Sequence, residues 1–330
     1  MGESQRNTHK VNLMPTLTKR TLLTAALAAP ALAIAQPTRP RGPFWPGGAR
    51  LAVGVCMMFE ADGGQPAMWQ QGPPGTPQAA QRFPNLPMIQ ARTYGAKEGI
   101  PRLLDMLDRV GCRVSSFMIG ESIQRYPDLA REIVARGHEA GGRAIRHAPQ
   151  FFMPKEQERD FLREGFEALR TATGLWPKGF NAQGLQGSVN TNDLLQELGL
   201  IYSIDDRTRD EPWIQKVNGD RDFCLVPYIG HVNDLNFFQN QQRSLSDYEQ
   251  TLKQEFEVLY EEGATRRRMM SVPLHDFVAG RPAVLPSVER FLRWAGGHPG
   301  VWFARRDEIA EWALGPGRAL TPVDAPVIPR

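Results

Sequence analysis

The sequence predicts an α/β protein built around one closed or nearly closed barrel. Strand-like apolar segments alternate with helix-like segments from residue 51 to residue 314, and repeated β-then-α units form parallel sheets with helices outside. About seven such units follow one another without a break in composition, which favours one barrel over two domains. A doubly wound open sheet is the alternative, but the chain has no glycine-rich dinucleotide-binding motif to support it.

The predicted elements begin with LAVGVCMMF (51–59), a nine-residue apolar run with no helical period. Such a run is expected for a strand that is covered on both faces. Residues 61–97, rich in Gly, Pro and Gln, are too polar and broken for regular structure, and loops of this length are usually functional or disordered. Further strands are predicted at 113–119, 138–142, 200–204, 222–228, 269–275 and 301–304, and helices at 100–110, 127–136, 154–174, 191–198, 246–259, 288–294 and 307–314.

The two ends of the chain lie outside the predicted barrel. Residues 1–35 place a basic pair before a short apolar run, and they end in A-x-A sequences at Ala31–Ala33 and Ala33–Ala35. This pattern is typical of a cleavable export signal, so we expect a periplasmic or secreted protein with no membrane span after signal removal. The basic pair resembles a weakened twin-arginine signal, and the choice between that route and the Sec route stays open. Residues 36–49 are predicted to be a linker, 50–314 the barrel and 315–330 a disordered tail.

The charge of the predicted mature chain is balanced. The whole chain has a formal net charge of +3, with 39 basic and 36 acidic residues. Residues 1–35 contain four basic residues and one acidic residue, so 35 of each remain in the body. A neutral body does not indicate nucleic-acid binding. The cysteines, Cys56, Cys112 and Cys224, lie within or beside apolar runs, where a thiol usually packs as a small hydrophobe.

Reactive side chains follow the ends of several predicted strands. In a parallel barrel these strand ends lie at one mouth, where active sites are built. Chance placement of polar residues in loops is the alternative. The residues in question are Glu60 and Asp62, Arg143 and His147, His231, Asn233 and Asp234, and His275.

Two of these segments point to acid–base chemistry. Glu60 and Asp62 are two residues apart just past a strand, so one carboxylate can face a water as general base and the other a cation. A solvated Asp-Gly turn is the alternative reading. His275 follows six residues of buried strand and is expected to be firmly held, which suits a proton donor to a leaving nitrogen.

The assembled motifs resemble the polysaccharide deacetylase superfamily, also called the NodB-homology or carbohydrate esterase 4-like superfamily. The closer resemblance is to the branch of metal-independent allantoinases and related cyclic-amide hydrolases, and it covers roughly Arg50 to Trp312. It rests on FEADGG, YGAKEGIPRLLDML, SSFMIG, GHEAGGRAIRH, VPYIGHVND, LYEEGA, MMSVPLHDFVAGRP and HPGVWFARRDEIAEW. The resemblance implies an irregular (β/α)7 barrel in a single domain.

The resemblance also implies hydrolysis of a non-peptide C–N bond in an amide, an N-acetyl group or a cyclic amide. Glu60 then matches the base that activates water, and His275 matches the acid that protonates the departing nitrogen. Asp62 and His147 match two metal ligands of metal-using relatives. Tyr94, His231, Asn233 and Asp234 are expected to contact the substrate, which would be a small molecule or a glycan. Homo-oligomer formation is implied by the resemblance alone.

Arg143 occupies the position of the third metal ligand, a histidine in metal-using relatives. A guanidinium has donors only and stays protonated, so it cannot bind a cation. Asp62 and His147 fall short of the three protein ligands usual in catalytic zinc sites. Either another group such as His231 completes a zinc or other divalent-metal site, or no metal binds; we expect the second, and hence no cofactor.

Two consequences of Arg143 compete. In the first, its guanidinium polarises a carbonyl and stabilises the oxyanion, so that the protein is a metal-free hydrolase. In the second, the site has decayed and the barrel is a carbohydrate-binding or small-molecule-binding protein; Lys97, at a position where relatives commonly have arginine, favours this reading. The presence of the other expected site residues favours the enzyme.

Overall fold

The structure is a computed structural model that describes residues 44–62 and 69–326. The predicted export signal, residues 36–43 of the predicted linker and the last four residues lie outside the described residues. Within the described part of the chain, no helix is long and apolar enough to cross a membrane.

The elements follow the alternating order that the sequence predicts. The strands are β1 (Leu51–Phe59), β2 (Trp69–Gln71), β3 (Arg82–Pro84), β4 (Ser115–Met118), β5 (Glu139–Gly142), β6 (Gly179–Phe180), β7 (Tyr202–Ser203), β8 (Trp213–Val217), β9 (Arg221–Leu225), β10 (Met269–His275), β11 (Val301–Phe303) and β12 (Val323–Asp324). The helices are α1 (Leu86–Tyr94), α2 (Ile100–Val110), α3 (Gly120–Arg125), α4 (Pro127–Ala135), α5 (Lys155–Thr173), α6 (Thr191–Glu197), α7 (Leu245–Glu262), α8 (Asp276–Ala279), α9 (Leu285–Gly296) and α10 (Arg306–Leu314).

The main sheet is largely parallel and confirms the predicted α/β barrel. Its order is β10-β1-β4-β5-β6-β7-β9-β8-β12, and β11 also pairs with β1. Every pairing in this sheet is parallel except that of β8 with β9. The order runs from β10 to β12 without a pairing between these end strands among the described residues, so the barrel is nearly closed rather than closed.

Strand β1 is buried along its whole length because its two faces meet different layers. Ala52, Cys56 and Met58 pack in the barrel interior with Phe117 and Tyr202. The alternate residues, from Leu51 to Phe59, pack against the surrounding helices. This double burial explains why the strand is a continuous apolar run rather than an alternation of polar and apolar residues.

Arg306 fills the interior of the barrel below its mouth. Its side chain is fully buried, and it donates to the carbonyls of Pro227 (3.0 Å) and Gly54 (3.2 Å) and to the hydroxyl of Ser271. Gly54 makes room for it, since a β-carbon there would lie 3.0 Å from Arg306 Nε. An arginine therefore satisfies backbone carbonyls in a place where a barrel normally packs aliphatic side chains.

Several predicted boundaries are wrong. Phe44 and Trp45, placed in the linker, are buried, and the Trp45 indole donates to the Arg268 carbonyl (2.9 Å). The tail expected to be disordered after Gly315 continues as a short 3-10 helix and as β12, which pairs with β8. Apolar side chains and backbone hydrogen bonds hold both segments, although their high proline content points to irregular structure.

The long 61–97 segment also contains regular structure that the prediction missed, namely β2, β3 and α1. Helix α7, predicted to begin at residue 246, begins at Leu245 after a capping box formed by Ser244 and Asp247. The antiparallel β8–β9 pair was not predicted either, because β8 mixes polar and apolar residues.

We expect replacement of Arg306 by alanine to lower the free energy of unfolding by roughly 3–5 kcal/mol, because it opens a cavity and leaves buried acceptors without donors. Arg305→Ala is the matched control. The side chain of Arg305 is partly exposed and pairs with Asp307, so its loss should cost less than about 1 kcal/mol. Urea denaturation of the mature chain measures both, and equal losses would show that Arg306 does not support the barrel.

Candidate active site

The strand alternation that buries β1 also builds a cavity at the mouth of the barrel. Residues 52, 56 and 58 face inward, and Glu60 is the next residue of the same parity. On β10, His275 is paired with Met58 and closes the inward series. The resulting cavity has a volume of about 390 Å³, and its wall includes Glu60, Arg92, Arg143, His147, Asn233 and His275.

Glu60 lies at the centre of the site between two guanidinium groups. Arg143 donates to its Oε1 and Arg92 to its Oε2, and all three residues are buried. Burial alone would raise the pKa of Glu60, but Arg143 and then Arg92 lower it well below its usual range, with smaller contributions from His147 and His275. The carboxylate is therefore ionised at any neutral pH, and both of its oxygens are occupied.

Arg92 is the main site residue that the sequence reading missed. It lies on α1, in the stretch expected to lack regular structure, and its guanidinium stacks 3.9 Å from the centre of the Phe277 ring. A start signal was present, since Asn85 caps the helix by accepting from Met88 N (3.3 Å) ahead of Leu86-Pro87. Asn followed by proline at the first turn is a recognised helix start.

The YGAKEG motif follows α1 and explains how that helix approaches the site. Residues Gly95–Gly99 form a π-helical turn that packs on Asp276. A β-carbon on Gly95 would lie 2.7 Å from Asp276 Cγ, and one on Gly99 would lie 2.1 Å from the Asp276 carbonyl oxygen. Asp276 accepts from the backbone N–H of Glu60 (3.1 Å), so these glycines allow the contact that fixes Glu60.

His275 is held by a buried aspartate. Its Nδ1 lies 2.7 Å from Asp234 Oδ1, and Asp234 Oδ2 accepts from the backbone N–H of His275 (2.8 Å) and of Ala279 (3.1 Å). Burial lowers the pKa of His275, but the charge and hydrogen bond of Asp234 raise it more, so the pKa lies above its usual value. Since Nδ1 is engaged, Nε2 is the nitrogen left for the cavity.

His147 has the opposite electrostatic environment. Its Nε2 lies 3.8 Å from Glu60 Oε1. Burial lowers the pKa of His147 to about 3, with Arg143 and Arg92 adding to the effect and Glu60 opposing it. His147 is therefore neutral near neutral pH, whereas the pKa of His275 is shifted in the opposite direction.

Asn233 and Tyr228 form a second polar wall of the cavity. Asn233 donates through Nδ2 to the Tyr228 hydroxyl, which leaves the phenolic proton free to be donated elsewhere. Both side chains line the cavity. Asn233 thus lies where it can contact a ligand, as the sequence predicts. Tyr228 adds a hydrogen-bond donor that was not predicted from the sequence.

Asp62 is oriented away from a metal-ligand role. Its carboxylate accepts from the Thr93 hydroxyl (3.0 and 3.2 Å) and the Tyr126 hydroxyl (2.6 Å), and Arg125 Nε lies 3.5 Å away. Asp62 does not line the cavity. Its neighbours explain this difference from the prediction, because three donors hold it outside.

Three other expected substrate contacts also lie elsewhere. His231 is exposed and pairs with Glu255 (2.9 Å), outside the cavity. Tyr94 is turned away as well, since its hydroxyl accepts from Arg102 (2.8 Å) and its ring lies 3.6 Å from the Arg281 guanidinium. Asp234 is fully buried beneath His275, where it positions that imidazole instead of contacting a ligand.

The residues present do not fit the metal that the family implies. Arg143 directs a positive charge at Glu60 from the expected histidine position, and Asp62 is engaged by other donors. Among the described residues, no group of three or more His, Cys, Asp and Glu side chains could hold a metal ion. A cationic guanidinium in place of a ligand disfavours a divalent cation both by repulsion and by its lack of an acceptor.

Comparison with known proteins places the chain in a family. The sequence model described as polysaccharide deacetylase matches residues 90–203. A peptidoglycan deacetylase of Helicobacter pylori is 26% identical over 254 residues, covering 68% of this chain and 86% of that protein.

Two solved structures extend the match over most of the barrel. One, described as a probable polysaccharide deacetylase from Pseudomonas aeruginosa PAO1, has a TM-score of 0.74 and 32% identity, covering 84% of this chain and 95% of the other. The other, described as the allantoinase PuuE, has a TM-score of 0.74 and 30% identity, covering 88% and 99%. The chain therefore belongs to the polysaccharide deacetylase family, and it is a deacetylase-like hydrolase.

We expect the two cavity histidines to titrate separately. Near pH 6, His275 should be largely protonated because Asp234 raises its pKa, whereas His147, with a pKa of about 3, should stay neutral. NMR titration of the imidazole carbons measures the pKa of each histidine. The variant Asp234→Asn should lower the pKa of His275 and leave His147 neutral. Protonation of His147 above pH 5 would contradict the electrostatic picture of the site.

Proposed function

We propose that the protein is an exported hydrolase of non-peptide C–N bonds in amides, N-acetyl groups or cyclic amides, and that it uses no metal. The observation that supports this most is the convergence of Glu60, Arg143 and His275 on one cavity at the carboxyl ends of the parallel strands. That cavity combines a carboxylate, an oxyanion donor and an imidazole, which are the groups that acyl transfer to water requires.

Arg143 polarises the substrate carbonyl in this proposal. Its guanidinium donates to Glu60 before substrate binds, and the carbonyl oxygen takes over part of that donation. The pKa of Glu60 then rises, and Oε1 becomes available to accept a proton from water. The water oxygen bonds to the carbonyl carbon, and the negative charge that develops on the carbonyl oxygen is stabilised by a fixed cation.

His275 completes the reaction as the general acid. The tetrahedral intermediate collapses as the C–N bond breaks, and the leaving nitrogen takes a proton from Nε2 of His275. Asp234 holds the imidazole in the orientation that presents Nε2 and keeps its pKa raised. The products are an amine and a carboxylic acid; transfer of the proton from Glu60 back to His275 through water restores the starting site.

His147 and the Asn233–Tyr228 pair are positioning groups in this scheme. A neutral imidazole 3.8 Å from Glu60 Oε1 can orient the attacking water without competing for its proton. The Tyr228 hydroxyl can donate to the substrate because it already accepts from Asn233. Both roles exploit neutral hydrogen-bonding groups in a buried cavity, where geometry is well fixed.

The relatives support both a glycan amide and a cyclic amide as substrate. One similar protein is named a peptidoglycan deacetylase and one similar structure an allantoinase. A role in carbohydrate metabolism rests on the first likeness. Export to the periplasm or out of the cell rests on the sequence pattern of residues 1–35.

We expect Glu60→Gln to lower kcat/KM by about 10²–10⁴-fold, the contribution typical of a general base. Glu164→Gln, on the exposed face of α5, is the matched control and should leave the rate unchanged. A panel of N-acetylated glycans, allantoin and cyclic imides provides the assay. If wild type and Glu60→Gln both bind these compounds and neither consumes them, the result contradicts the hydrolase proposal and indicates a binding protein.

We expect activity to survive chelators, because Arg143 supplies the positive charge. Arg143→His should lower kcat by about 10²–10³-fold, the typical loss of one oxyanion-stabilising donor. Arg146→His is the control, since Arg146 lies nearby in the chain, is exposed and pairs with Glu121. Metal analysis accompanies the assay; loss of activity with EDTA, or gain of zinc and activity in Arg143→His, would overturn the metal-free proposal.

A further inference from the structure

The wall of the cavity has an excess of positive charge. Three arginines, Arg92, Arg143 and Arg207, line the cavity. Within the described part of the chain, Glu60 is the one acidic residue that lines it. Arg92 and Arg143 share that single carboxylate as their ion-pair partner, and Asp276 and Asp205 attract them from outside the lining. Arg207 adds a third guanidinium to the lining itself, and a surface with more guanidinium groups than carboxylates favours an anionic ligand.

Arg207 lies at the mouth of the cavity. It follows β7 and is exposed, and its guanidinium lies over Gly230, in the segment that leads to Asn233 and Asp234. A β-carbon on Gly230 would lie 3.5 Å from Arg207 Cζ, an ordinary van der Waals distance, so the guanidinium lies directly against this loop. The side chain borders the cavity together with Asn181 and Asn236.

Among the described residues, the aspartates beside Arg207 form no ion pair with it, although the charges of Asp205 and Arg207 attract each other at longer range. Asp205 is engaged by Asn181 Nδ2 (2.9 Å) and by the backbone N–H of Ala182 (2.8 Å). Asp206 accepts from the hydroxyl (2.8 Å) and the backbone N–H (3.2 Å) of Thr208. Within residues 44–62 and 69–326, Arg207 has no hydrogen bond or ion pair, which is unusual for an arginine flanked by two aspartates.

The size and shape of the cavity limit what this free guanidinium can bind. About 390 Å³ is the volume of a small-molecule site. The planar fork of a guanidinium matches a carboxylate in a bidentate pair. A single arginine with asparagine neighbours suits that group better than a phosphate, which is usually bound by several cations or a row of backbone N–H groups.

We propose that the substrate is a small cyclic amide or cyclic ureide that carries a carboxylate, which Arg207 binds at the mouth of the cavity while Arg143 and Glu60 engage the scissile carbonyl. This inference rests on the proposed hydrolase function and narrows it to one substrate class. Arg207 is the specificity residue, and it takes no part in the bond-breaking step.

Paired compounds that differ by one carboxylate test the proposal. Dihydroorotate and dihydrouracil share a six-membered cyclic ureide, and hydantoin-5-acetate and hydantoin share a five-membered one. We expect the mature wild-type protein to bind the carboxylated member of a pair ~10–100-fold more tightly by calorimetry, the range for a charge-assisted hydrogen bond. Arg207→Gln should abolish that preference.

Arg221→Gln is the matched control, because Arg221 is exposed at the start of β9, outside the cavity, and donates to Gln196. It should keep the preference. Where turnover is measured, Arg207→Gln should raise KM for the carboxylated compound and change kcat little, which a general loss of stability would not do. Equal affinity for both members of each pair, or a preference that survives Arg207→Gln, overturns the inference.

Failure of the two proposals can be told apart. Absence of turnover on every amide, with the carboxylate preference intact and dependent on Arg207, defeats the hydrolase function and leaves an anion-binding site. Turnover of the neutral compounds alone, without a preference, leaves the hydrolase function and defeats the substrate class. Binding of neither member of either pair defeats the substrate class as well.

Discussion

The site depends on the alternation of side chains along parallel strands. In each strand of the barrel every second side chain faces the interior, and this alternation continues into the residues at the strand ends, which line the mouth. On β1 the series of inward-facing residues ends at Glu60. In the neighbouring strand β10, the register of the pairing places His275 beside Met58. A one-residue slip in either strand would turn these side chains toward the helices. Because both faces of β1 are apolar and buried, packing against two different layers specifies the register, and the chemistry follows from it.

A carboxylate held by two guanidinium groups gives the cavity its electrostatic character. Arg143 and Arg92 offset the desolvation of Glu60 and keep it ionised, at the cost of making it a weak base until substrate arrives. Burial, together with these two charges, lowers the pKa of His147, whereas Asp234 outweighs burial and raises the pKa of His275. One cavity thus contains two histidines whose pKa values are shifted in opposite directions. Arg143 therefore adds a fixed positive charge to the cavity beside Glu60.

The parts of the site that the sequence reading found are those attached to strands. Glu60 and Arg143 directly follow β1 and β5, and His275 ends β10, so their convergence could be predicted from the parallel topology alone. Arg92 was missed because it reaches Glu60 from a helix inside a long Gly/Pro-rich excursion. Asp62, His231 and Tyr94 were misplaced for a related reason. Each is in or next to a loop, where the direction of a side chain depends on partners such as Tyr126, Glu255 and Arg281.

The sequence by itself determined the α/β barrel, the order of its main elements and the family, because apolar periodicity and short motifs are local properties of the chain. It also showed that Arg143 cannot itself be a metal ligand, since a guanidinium has no lone pair to offer a cation. Only the tertiary structure decided that Phe44, Trp45 and the segment that ends in β12 pack on the barrel, that Arg306 fills its interior, and that Arg92 and Arg207 join the cavity. These features come from contacts between residues far apart in the chain, and no local pattern records which distant side chain will occupy a given space.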